Sequence, residues 1–170
     1  NSTGYLSNTT NFRFLSSNNT LIVNNSIFSS ITLNNANVAL GSGAGATGQN
    51  VYSIAIGSNA GNSGQKSYGV AIGAGAAQFN QGAQSVSIGL NSGNSNQGDN
   101  SVAVGRDSGV TNQGQQAVSI GWQAGYTGQN ASSVTIGSNA GYSGQGTGSV
   151  AIGSQAGQTS QNAYSVAVSY

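Results

Sequence analysis

The chain repeats itself every sixteen residues, and the repeat does not slip. An aliphatic residue stands at Val38, Ile54, Val70, Val86, Val102, Val118, Val134, Val150 and Val166, and a second follows two residues later at Leu40, Ile56, Ile72, Ile88, Val104, Ile120, Ile136, Ile152 and Val168. Between them sits a small residue: Ala39, Ala55, Ala71, Ser87, Ala103, Ser119, Thr135, Ala151 and Ala167. Glycine follows at 41, 57, 73, 89, 105, 121, 137 and 153, and each unit carries one glutamine near its end, at Gln49, Gln65, Gln81, Gln97, Gln113, Gln129, Gln145 and Gln161. A period of this length means one supersecondary unit stacked on copies of itself. Eight full units and a truncated ninth make 37–170 one repeat domain, and residues 1–36 stand outside the register.

Within a unit, the Val-Ala-Ile run alternates with period two and is bounded by glycine, the pattern of a short strand. A second short segment, Asn-Ala-Gly-x-Ser/Thr, lies between that glycine and a turn around the glutamine. Both segments are too short for a helix, so the unit reads as one coil of an all-β, parallel β-solenoid. The rival, a hairpin array, lacks its strongest signal: no Asn-Gly or Asp-Gly pair occurs in this Asn- and Gly-rich chain. Proline, which would remove a ladder hydrogen bond, is also absent. Coils rising about 4.8 Å each would build a rod on the order of 40 Å long.

Hydrophobicity places Val and Ile inside the coil and the Ala/Ser column outside. Two aliphatics per sixteen residues make a thin core, so the flat outer column is expected to meet another chain. The expected state is an intertwined or side-by-side homo-oligomer, most simply a homotrimer. The glutamine column is expected at one corner as a structural ladder, each amide bonding the next coil or capping turn backbone.

The phrase Ser-Val-Ala-Ile-Gly-x-x-Ala resembles the head repeats of YadA-like trimeric adhesins, over about 37–168. That resemblance implies a left-handed parallel β-roll of three chains on a cell surface. Those repeats usually run fourteen residues. The sixteen-residue form with its Ala-Gly-x-Ser/Thr-x-Gln tail is more similar to repeats of phage tail-fibre and large DNA virus structural proteins. It implies a fibre or spike segment, extracellular, on a virion or cell surface, joined to further fibre parts or to a capsid or surface anchor. The alternative within this class is an adhesin head that binds host matrix, receptor or glycan directly. Residues 1–36 hold short apolar runs between Asn/Ser pairs, as expected of a short-strand cap or junction over an exposed sheet edge.

Charge and chemistry narrow the alternatives. Charged residues are 3% of the chain, with Arg13, Lys66 and Arg106 set against Asp99 and Asp107 for a net +1. That is no footprint for nucleic acid, and no apolar run is long enough to insert in a membrane. His, Cys and Glu are absent, and the two aspartates lie half a coil apart. No catalytic, metal-binding or cofactor-binding residue is therefore assigned, and no cofactor is expected. The segment "GAGATG" at 43–48 matches a dinucleotide fingerprint but opens no helix and belongs to the repeat.

Where the refrain breaks, contact residues are expected: Phe79, Arg106 and Trp122, with the adjacent-coil pairs Tyr52–Tyr68 and Tyr126–Tyr142. Asn1, Asn8, Asn18, Asn24 and Asn130 stand in Asn-x-Ser/Thr glycosylation acceptors. A Ser/Thr column (Thr47, Ser63, Ser95, Thr111, Thr127, Ser143, Thr159) raises an ice-binding solenoid as a third reading; it is single and interrupted by Phe79.

Overall fold

The computed structural model describes residues 37–169. The expected cap at 1–36, with Arg13 and the acceptors Asn1, Asn8, Asn18 and Asn24, lies outside the described residues, as does Tyr170. The described chain is all-β: parallel strands stacked sixteen residues apart form a β-solenoid of about eight turns.

Two sheets make the walls. The first has nine strands, from Val38–Leu40 to Val166–Val168, each Val-Ala-Ile run pairing in parallel with the run one coil away. Ile54 lies beside Val70, Ala55 beside Ala71, Ile56 beside Ile72. We call it the aliphatic sheet. The second, the glutamine sheet, has five strands: Phe79–Gln81, Ser95–Gln97, Thr111–Gln113, Thr127–Gln129 and Ser143–Gln145. Single bridges (Thr47 to Ser63, Ser63 to Phe79, Ser143 to Thr159) extend it at both ends. The second strand is thus Ser/Thr-Asn/Gly-Gln, not the Asn-Ala-Gly segment expected from the sequence, which forms a turn instead. That turn follows from backbone conformation. In the coil 53–68, Gly57, Asn59, Gly61, Gly64 and Tyr68 all have positive φ, from 50° to 127°. Four of these left-handed residues bend the chain outside the strands, so both straight segments stay short. Gly64 instead sits mid-segment between Ser63 and Gln65, as Asn80, Asn96 and Asn112 do in the glutamine-sheet strands. The left-handed positions also explain the wealth of Gly and Asn, the residues that adopt φ > 0 at least cost.

The corner after the aliphatic strand shows why glycine recurs there. At Gly57 (φ 127°) a Cβ would lie 2.7 Å from the carbonyl carbon of Gly73 in the next coil. The glycines stack backbone on backbone, and no side chain fits between them.

The inside and the outside are the reverse of the expectation. The small column is buried: Ala55, Ala71, Ser87, Ala103, Ser119, Thr135 and Ala151 are all fully inaccessible. Both aliphatic columns point outward; Ile88, Ile120, Ile136 and Ile152 are 37–40% exposed and Leu40 is 58% exposed. The physical reason is thickness. Tight left-handed corners bring the two sheets close together, so what packs between them is methyls, hydroxyls and glycine, with one glutamine per coil laid across. In the coil 53–68 the buried residues are Ser53, Ala55, Ala60, Gly61 and Gln65. Glutamine is the one long side chain inside, where it lies across the lumen rather than at a corner.

Candidate functional site

The glutamine column accounts for its own recurrence. Gln65 Nε2 donates to the Ile54 carbonyl of its own coil (2.8 Å) and to the Gly69 carbonyl that begins the next (3.1 Å). Gln81, Gln113, Gln129 and Gln161 repeat both bonds. Gln97 and Gln49 make the first, to Val86 and Val38. These seven amides therefore cross the coil to the aliphatic sheet, and five of them also tie two coils together.

The other half of the amide depends on the small column. Gln97 Oε1 accepts from Ser87 Oγ (2.7 Å) and Ser85 Oγ (3.2 Å), and Gln129 Oε1 accepts from Ser119 Oγ. Where the facing residue is Ala55, Ala71, Ala103 or Ala151, the carbonyl oxygen of Gln65, Gln81, Gln113 or Gln161 is buried with no partner. The coil with Thr135 differs again. Its branched side chain takes up lumen space, and Gln145 turns so that Nε2 reaches the Gly157 carbonyl (2.8 Å) and Oε1 accepts from Ser149 Oγ (3.0 Å). The sequence reading found the glutamines but missed Ser87, Ser119 and Thr135 as their partners. The Ala/Ser alternation in that column was the available signal.

The outer surface carries the remaining candidates. Tyr52 and Tyr68 stack at 5.3 Å between ring centroids and 19° between planes, both about half exposed. Tyr126 and Tyr142 stack at 5.0 Å and 1°. In both pairs each ring covers one face of the other. Phe79 opens a strand of the glutamine sheet, 42% exposed, where its neighbours in the column are Ser63 and Ser95. The Ser/Thr column thus runs along the outside of that sheet.

Arg106 and Trp122 come together with a residue the sequence reading missed, Leu90. All three follow the corner glycine in successive coils, linked by backbone bonds from Asp107 N–H to the Leu90 carbonyl (2.8 Å) and from Gln123 N–H to the Arg106 carbonyl (3.0 Å). Leu90 and Trp122 are about half exposed. Arg106 Nε pairs with Asp107 Oδ2 at 3.1 Å, while Asn91 Nδ2 donates to Asp107 Oδ1 at 3.1 Å. The other exposed pair, Lys66 Nζ with Asp99 Oδ1 at 3.1 Å, spans three coils, because Asp99 also accepts the Ala83 backbone N–H at 2.8 Å. That N–H, and then the lysine, hold the Asp99 carboxyl below its ordinary value. Asn130 is exposed in a turn.

Among the described residues no group of three His, Cys, Asp or Glu could hold a metal ion, and no helix is long and apolar enough to cross a membrane. Compared with protein-family models, with curated proteins and with solved structures, the chain matches none.

Proposed function

We propose that this chain is a shaft segment of a fibre or spike on a virion or cell surface, which spaces or presents an attachment element and works as a side-by-side homotrimer. The observation that carries the reading is the outer face of the aliphatic sheet. Two columns of branched aliphatics run unbroken along nine strands and face outward. A monomer gains nothing from a continuous apolar stripe in water, whereas a stripe meeting its own copies along the rod removes it from solvent. The contact face is the Val/Ile face, in place of the Ala/Ser face expected from the sequence. Coil number then sets rod length and leaves the ends for other parts of the fibre.

Light scattering or sedimentation equilibrium tests the trimer: the expected mass is three times 16.7 kDa, and the mass of one chain refutes it. Negative-stain images of the assembly should show a straight rod, and a compact sphere would count against a shaft. A second reading, direct adhesion, is favoured by one observation, the Leu90–Arg106–Trp122 run in an otherwise Ser/Ala turn column. A glycan and matrix-protein array probed with the native chain and with Trp122→Ala distinguishes it: binding lost in the variant supports adhesion, and no binding by either removes it.

A further inference from the structure

The two tyrosine pairs have a geometry that stacking alone does not use. At 1° between planes and 5.0 Å between centroids, the Tyr126 and Tyr142 rings lie parallel and close in adjacent coils. The backbones cannot drift apart, because Thr127 N–H donates to the Tyr142 carbonyl (3.0 Å) and Tyr68 N–H to the Val51 carbonyl (3.2 Å). Tyr52 and Tyr68 are 51% and 54% exposed, so each ring can turn about its own side-chain bonds toward its neighbour. The composition leaves few competing targets. The chain has no Cys, no Met, no His and one Trp, so tyrosine is its commonest oxidisable side chain.

We propose that Tyr52–Tyr68 and Tyr126–Tyr142 are sites of oxidative cross-linking, each pair joined by a carbon–carbon bond that staples one coil covalently to the next. The oxidant is a peroxide acting through a one-electron catalyst such as a haem peroxidase. Each phenol gives up one electron and one proton, and the two phenoxyl radicals couple between ring carbons ortho to oxygen. The two hydrogens on those carbons then move to the oxygens and restore both phenols. One C–C bond forms and two C–H bonds break. The two electrons and two protons reduce one hydrogen peroxide to two waters, so the chain loses two hydrogens per link. In a chain without cysteine it supplies a covalent tie between coils that a disulfide cannot. The proposal is independent of the fibre reading.

Tyr164 provides an internal control. It is 82% exposed, but its ring lies over Gly148, so the stacked position in the neighbouring coil holds no tyrosine. The experiment treats the folded chain with haem peroxidase and hydrogen peroxide. It reads dityrosine fluorescence, band position on a denaturing gel, and linked fragments by mass spectrometry. The expected products keep single-chain mobility, lose two hydrogens per link, and join Tyr52 to Tyr68 and Tyr126 to Tyr142. Tyr68→Phe should abolish the first link alone and Tyr142→Phe the second alone, with Tyr164→Phe leaving both. Phenylalanine keeps the ring and the stack, and far-UV circular dichroism confirms that each variant is folded. Links mainly between chains, links at Tyr164 as frequent as at the pairs, or oxidation confined to Trp122 would each overturn the proposal.

Discussion

The unpartnered glutamine oxygens make a sharp prediction about stability. Gln65, Gln113 and Gln161 each bury a carbonyl oxygen opposite an alanine, while Gln97 and Gln129 meet a serine at the same position. Introducing the hydroxyl should supply the missing donor, so the triple variant Ala55→Ser, Ala103→Ser, Ala151→Ser should be more stable than the parent. A net hydrogen bond contributes about 0.5–1.5 kcal/mol, so three should add roughly 1.5–4.5 kcal/mol. In melting temperature that is about 2–4 °C for each kcal/mol in a chain of this size. Space for the hydroxyl exists, because in the serine coils Oγ sits against Gly93 and Gly125, and Gly61, Gly109 and Gly157 hold the matching places. The exception is informative. Ala71→Ser should destabilise, because Ala77 stands where those coils have glycine. Conversely, Ser119→Ala leaves the Gln129 oxygen without its closest donor and should cost about 1–3 kcal/mol. Denaturant titration followed by circular dichroism measures all of these. A triple variant no more stable than the parent, or a neutral Ser119→Ala, would refute the claim that the lumen hydroxyls satisfy the glutamine column.

Further expectations concern backbone, surface and acid. Gly61→Ala places a Cβ 2.6 Å from Gln65 Oε1 at φ 50° and should destabilise by about 1–2 kcal/mol or more; Ala77→Gly, at φ 46°, should stabilise by roughly 1 kcal/mol, and thermal melts compare the two. Ile120→Glu on the outer face of the aliphatic sheet should leave the circular dichroism of the coil unchanged while reducing the mass seen by light scattering toward one chain. The lowered carboxyl of Asp99 contributes stability above the ordinary carboxylate range and loses it as pH falls through the folded-state value. Melts at acidic and neutral pH should therefore show a small acid destabilisation that Asp99→Asn removes.

Period, register and the aliphatic strand were all legible from spacing alone, because Val38, Ile54 and Val70 recur without slippage and pair as that spacing requires. Which face is inside was not legible. Alternation says that Ala55 and its neighbours Ile54 and Ile56 point opposite ways, and hydrophobicity then chose the wrong side. That choice depends on the gap between the sheets, which the left-handed corners set through φ values invisible in the aliphatic run. The place of the glutamine failed for the same reason, since a thick core would have left it at the rim. The tyrosine pairs succeeded because sixteen residues is one coil, so Tyr126 and Tyr142 had to be neighbours. Leu90 was missed because a leucine beside a column of isoleucines drew no notice until the turn placed it with Arg106 and Trp122.

One coil departs from the refrain at two linked places. Ala77 occupies the glycine position, Gly69 replaces the usual serine, and a Cβ on Gly69 would lie 2.9 Å from Gln81 Oε1. The missing side chain at Gly69 leaves room for the Gln81 amide, which follows the Ala77 methyl by four residues. Elsewhere, Thr135 and the turned Gln145 form a second such set. A solenoid of interchangeable coils has a problem of identity: a strand displaced by sixteen residues finds the same hydrogen bonds and the same neighbours. The mismatched coils act as bookmarks, making one alignment better than every shifted one, both as the chain folds and wherever coils of two chains must lie level.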